Sequence, residues 1–137
     1  KHFEGKRQGY LDLNDIGNIP CSFHPFINRN NQKKFEEIRS QDVYNTACIL
    51  NEHNTKISMI NGGYYKLNLH KKSVTKEDGF SHKINLAYIK YQIKSIRNKN
   101  LKIARMFAIR RINNIKYINW KKNNDKSFYE YLNEKEN

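Results

Sequence analysis

Cys21 and His24 form a C-x-x-H pair, and Cys48 and His53 lie five apart. Four such side chains are the kind that hold zinc tetrahedrally. The second spacing is loose and a predicted helix lies between the pairs, so the expectation is two thiols that bind no metal. Glu77-Asp78 with His82 has the outline of a metal-dependent nuclease centre, in which carboxylates are paired with a base. The chain contains no phosphate-cradling glycine loop, no zinc-protease helix motif and no nucleophile signature. These residues point away from catalysis, and no cofactor or small-molecule substrate is expected.

Phosphate binding is the chemistry the residues supply in quantity. Lys and Arg total 26 against 13 acids, a formal net charge of +13. Asn, Lys, Ile, Tyr and Phe make up more than half of the chain, which suggests an AT-rich genome and accounts for part of the lysine. It does not account for the distribution of acids. Between Asp78 and Asp125 no Asp or Glu occurs, while the window holds Lys83, Lys90, Lys94, Arg97, Lys99, Lys102, Arg105, Arg110, Arg111, Lys116, Lys121 and Lys122. A polyphosphate partner explains both the cations and the missing acids. Arg105, Arg110, Arg111, Lys121 and Lys122 are the foremost candidates, since arginine grips phosphate in bidentate fashion while lysine acts as a mobile point charge. Trp120, flanked by basic residues, either stacks on a base or packs against a neighbouring protein.

The elements that must position these groups are partly legible. NQKKFEEIRS (31–40) predicts a short helix with Phe35 and Ile38 on one face. Asn61-Gly62-Gly63 lies between apolar runs, and Asn-Gly tolerates the positive φ of a tight turn. A β-hairpin over about 57–70 follows, with Tyr65, Leu67 and Leu69 on its buried face. CSFHPF, between Pro20 and Pro25, reads as loop. From Leu101 to Trp120 the pattern is helical, and Leu101, Ala104, Ala108, Ile112 and Ile115 are the expected apolar stripe, for core or partner contact. No apolar run approaches the roughly 18 residues of a membrane span. KHFEGKRQGY contains no secretory signal, and Lys1 in place of Met points to a piece upstream. Apolar residues make up 37% of the chain, so the core is expected to be small and partner binding to offset charge repulsion.

Two stretches resemble one family, the small-subunit ribosomal protein numbered nineteen in the bacterial scheme. KRQGYLDLNDI (6–16) is similar to that family's KKGPFVDxxLL element, with Lys6-Arg7, Tyr10, Leu11, Asp12 and Ile16 in register and Gln8-Gly9 in place of Gly-Pro. VTKEDGFSHKINLAYIK (74–90) is similar to VTxEMVGHKLGEFAPTR. The matches are Val74-Thr75, Glu77, His82-Lys83, Ile84, Leu86, Ala87 and Lys90, with one inserted residue and Ser81 in place of glycine. The Asn-Gly turn precedes the second motif as it does in the family. Arg39-Ser40 is a weaker counterpart of a Trp-Ser-Arg-Arg-Ser element. The resemblance covers roughly 6–16 and 57–90, under half of the chain.

This resemblance implies an α+β fold, a small sheet with the hairpin and short helices, followed here by a basic helical extension. It divides the chain into an RNA-binding region, 1–90, with an insertion at about 17–48, and an extension, 91–137, ending in a mixed-charge tail. It implies a structural constituent of the small-subunit head that binds ribosomal RNA and neighbouring head proteins and is not an enzyme. The implied RNA contacts are Lys6, Arg7, His82, Lys83 and Lys90. Arg39 joins them from the weaker Arg39-Ser40 match, and Lys94 and Arg97 from the acid-free window. His82 either docks on RNA or hydrogen-bonds backbone at a strand end. Codon bias and divergence point to a mitochondrial ribosome, with plastid or cytoplasmic ribosomes as alternatives. The competing expectations are a free-standing nucleic-acid-binding protein, with or without zinc, and the metal-dependent nuclease.

Overall fold

The computed structural model describes residues 9–19, 25, 27–36, 38–58, 79–124, 130–131 and 134. Two short strands, β1 (Tyr10–Leu11) and β2 (Ile57–Ser58), pair antiparallel, Tyr10 opposite Ser58 and Leu11 opposite Ile57. The principal helices are α1 (Leu13–Asn18), α2 (Gln41–Glu52), α3 (Phe80–Arg97) and α4 (Leu101–Lys121). The fold therefore combines helices with a small sheet and is mostly helical. Most of the expected hairpin, residues 59–70, lies outside the described residues.

α1 follows directly from β1 because Asp12 caps it. Its carboxylate accepts from the Asn14 and Asp15 amides at 2.8 and 3.0 Å, and Asp15 accepts from the Asp12 amide at 3.1 Å. This reciprocal capping box satisfies amides that a helix start leaves without partners. Gly17 brings α1 against α4, where a Cβ would stand in ordinary contact, 3.5–3.6 Å from Met106 and Ile109 atoms.

The core gathers Leu11 and Ile16, then Val43, Tyr44, Ala47 and Leu50 of α2, then Ala87, Tyr88 and Tyr91 of α3, then Ile103, Met106 and Phe107 of α4. The boundary drawn at residue 90 falls inside α3, and core side chains come from both sides of it. Aromatic rings organise its centre. Tyr44 and Tyr91 stack with centroids 4.6 Å apart, and Phe107 tilts onto Tyr44, Tyr88 and Tyr91 at 5.2–6.0 Å. The Tyr91 hydroxyl donates to the Gln41 amide oxygen at 2.7 Å, and Gln41 donates to Asn45 at 2.8 Å.

Two local expectations are corrected. Residues 32–36 and 38–40 are not helical. Between α1 and α2 the described residues form only a 3-10 turn at Arg29–Asn31, and Ser40 enters α2 with φ 61, a left-handed conformation that no helix runs through. Of the stripe predicted on α4, Ala104 is buried and Ala108 half-buried, while the other three members are exposed. Ile103, Ala104, Met106, Phe107 and Arg110 are buried, whereas Leu101, Ile112 and Ile115 are exposed. Isoleucine occurs all round this helix, so counting aliphatic side chains alone did not locate the buried face.

Burial pushes the Tyr44 phenol up to about 12, aided by Cys48, and raises Tyr91 further, aided by Glu36. Folding thus retains protons that the unfolded chain releases near pH ~10. Their contribution to stability is whole below that pH and is lost as pH rises through about 12. Urea-unfolding free energy should decline across this window in the wild type, and less so in Tyr44→Phe/Tyr91→Phe. Equal decline in both proteins would contradict the assignment.

Candidate nucleic-acid interface

From Phe80 to Asn124 the chain has no Gly, Pro, Asp or Glu, so nothing in composition interrupts two long helices. α3 and α4 pack antiparallel. Ser81 meets Asn114, whose amide donates to the Ser81 carbonyl at 2.8 Å, and Tyr88 meets Phe107 and Arg110. Their connection is a Schellman turn. The Lys99 amide donates to the Ile96 carbonyl at 3.0 Å and the Asn100 amide to Ser95 at 2.8 Å, while Lys99 holds φ 58. Glycine favours that conformation, and a side-chain-bearing residue there costs roughly 1–2 kcal/mol.

Each helix turns a mixed basic and aliphatic stripe to solvent. His82, Leu86, Lys90, Ile93 and Arg97 recur at spacings of three or four along α3, all exposed. On α4 the exposed Leu101, Arg105, Ile112 and Lys116 follow at spacings of four, seven and four. His82 lies in the first turn of α3, so the expected strand-end position is corrected.

The cations divide into two groups. Arg110 is corrected from RNA contact to core residue: it is 4% exposed. Its Nη1 donates to the Ile16 and Ile19 carbonyls at 2.7 and 2.8 Å, Nε donates to the Tyr88 hydroxyl at 3.2 Å, and the guanidinium lies over the Tyr88 ring. It thereby satisfies carbonyls at the end of α1 that the helix leaves unpaired. Lys94 is paired with Glu36 at 2.9 Å and lies over Tyr44. Arg39 lies over the Phe80 ring at 5.2 Å. Lys83 and Lys121 also have interactions within the chain. Arg111 is half-buried, its Nε without a hydrogen-bond partner.

Lys90, Arg97, Lys99, Lys102, Arg105, Lys116 and Lys122 form the second group, exposed and without a side-chain partner among the described residues. Lys99, Lys102 and Lys116 were visible in sequence only as members of the acid-free window. The exposed Leu86 and Ile93 were not singled out as a surface at all, although their helical spacing with His82, Lys90 and Arg97 was there to be read. Lys6 and Arg7 lie outside the described residues.

Trp120 is half-buried and packs within the chain. Its ring centroid lies 5.1 Å from Tyr131 and 6.2 Å from Tyr117, and its indole N–H donates to Glu134 at 3.0 Å. Cys21, His24, Glu77 and Asp78 lie outside the described residues. Cys48 is half-buried, with burial the main cause raising its thiol pKa, and His53 is exposed. Among the described residues no group of three or more His, Cys, Asp or Glu could hold a metal, and no helix is long and apolar enough to cross a membrane. Compared with family models, with curated proteins and with solved structures, the chain matches none.

Proposed function

We propose that this chain is a structural, RNA-binding protein of the small ribosomal subunit, located in its head and performing no chemistry. The observation that carries the reading is the set of seven exposed cations on α3, α4 and their ends that have no side-chain partner among the described residues, in a stretch with no acid. In isolation these charges repel one another. Each that meets a phosphate releases a condensed counterion, so a polyanion is the partner that gains most from this surface. RNA is favoured over DNA by the two family-like motifs. A-form RNA also offers phosphates and 2′-hydroxyls along a shallow groove within reach of helix-borne Lys and Arg tips. Leu86, Ile93 and Ile112, set among the cations, suit contact with a neighbouring head protein along the same faces. Mitochondria are the proposed location, from codon bias and divergence.

Fluorescence anisotropy with a fragment of small-subunit ribosomal RNA tests the binding. If all seven cations engage, log K should fall linearly with log salt at a slope of about −5 to −6, using roughly 0.7–0.9 per phosphate. A slope near zero, or no binding at low salt, would contradict the reading.

A further inference from the structure

Four of the cations without a side-chain partner among the described residues fall within nine residues at the α3–α4 turn: Arg97, Lys99, Lys102 and Arg105. Ile96 and Leu101 stand exposed among them, and Leu101, at 69%, has the greatest exposure of the large apolar side chains described. Burial along α4 begins only at Ile103. A single exposed leucine needs no explanation, but this one shares its turn with a second exposed aliphatic and four cations.

The backbone adds an independent observation. Lys99 occupies the left-handed position of the turn, φ 58, where glycine is the favoured residue. Asn98, of a type that tolerates this conformation better than lysine, stands one residue earlier. The stability of the turn does not ask for lysine at 99. Strained positions of this sort cluster at functional sites.

We propose that the α3–α4 turn is an RNA-insertion tip, in which Arg97, Lys99, Lys102 and Arg105 take phosphates flanking an unpaired nucleotide while Leu101 packs against its base. This rests on the RNA-binding reading above and adds to it the kind of RNA element bound: a bulge or internal loop. A continuous A-form duplex keeps its bases stacked, whereas a bulge presents a splayed base between closely spaced phosphates. Aliphatic side chains act as wedges against base steps in other nucleic-acid complexes. A second copy of this chain is a poor occupant, since it would set like charges against these four.

The experiment compares wild type, Lys99→Gly, Lys99→Ala and Leu101→Ala on two RNA hairpins that differ only in a single-nucleotide bulge, alongside thermal melts. Lys99→Gly should raise Tm by about 3–5 °C, since glycine relieves the left-handed strain. It should also weaken bulged-hairpin binding about 5–8-fold at ~0.1 M salt and reduce the salt slope by about 0.7–0.9. Lys99→Ala should show the same binding loss without the gain in Tm. Leu101→Ala should abolish the preference for the bulged hairpin and leave the salt slope intact. If the wild type binds both hairpins equally, or Lys99→Gly leaves affinity and slope unchanged, the tip is overturned while RNA binding stands. If the wild type binds neither hairpin, both proposals fall together.

Discussion

Arg110→Ala is expected to destabilise the protein by about 3–5 kcal/mol, seen in urea unfolding as a lower midpoint at unchanged m-value. The guanidinium is held by the Ile16 and Ile19 carbonyls, the Tyr88 hydroxyl and the Tyr88 ring. Its removal leaves two carbonyls at the end of α1 without donors, each costing roughly 1–3 kcal/mol when buried, and opens a void between α1, α3 and α4. Arg110→Lys should recover only part of the loss. A lysine ammonium is a point charge and cannot reproduce a planar group that bonds through two nitrogens and lies over a ring. RNA affinity of the folded variant should match that of the wild type. Unchanged stability with weakened RNA binding would return Arg110 to the interface.

The second large effect concerns binding. Lys90→Ala/Arg97→Ala/Arg105→Ala removes three exposed cations that have no side-chain partner among the described residues. It should reduce the salt slope by about 2.1–2.7 and weaken RNA binding roughly 100–500-fold at ~0.1 M salt. Thermal stability should hold, because none of the three side chains is buried. The informative control removes cations already engaged: Lys33, paired with Glu52, and Lys94, paired with Glu36. Lys33→Ala/Lys94→Ala should lower the slope much less per charge than the triple variant does. If both variants follow net charge alone, the surface has no specific binding face.

This division between engaged and unengaged cations was not legible in the sequence. The acid-free window was, because it depends only on residue order. Which arginine lies inside depends on how α1 meets α4. Arg110 and Ile16 are 94 positions apart, and no local pattern records that contact. Asp12 illustrates the opposite case: its role as the cap of α1 follows from Asp12 and Asp15 three residues apart, a local signal that lay within the family-like motif. α3 was missed for a different reason. Residues 80–90 matched a linear motif, so the buried Ala87, Tyr88, Tyr91 and Ser95, spaced one to four residues apart on one helical face, were not read as a helix. On α4 the element was right, but only Ala104 of the expected stripe is buried, since isoleucine lies all round the helix and the buried side includes an arginine. The predicted helix over 31–40 failed because ten residues of suitable composition do not override a left-handed Ser40 and the long-range docking of α2.

The same division explains why a charge of +13 is tolerated by so small a core. Some cations serve as internal partners: Arg110 for backbone carbonyls, Lys94 for Glu36 and the Tyr44 ring, Arg39 for Phe80. Seven others, Lys90, Arg97, Lys99, Lys102, Arg105, Lys116 and Lys122, are exposed on α3, α4 and their ends, and the inner faces of these two helices are fixed by the stack of Tyr44, Tyr91 and Phe107. Rigid helices hold these outward charges in a fixed pattern, which suits a protein that fixes RNA geometry.

The most direct test of the central proposal is the sedimentation of this chain in a sucrose gradient of native extract, probed with an antibody. It should migrate with the small ribosomal subunit at moderate salt and move to the top of the gradient after ribonuclease or high salt. A chain found at the top without either treatment, as a free monomer with a sharp melting transition, would contradict the account.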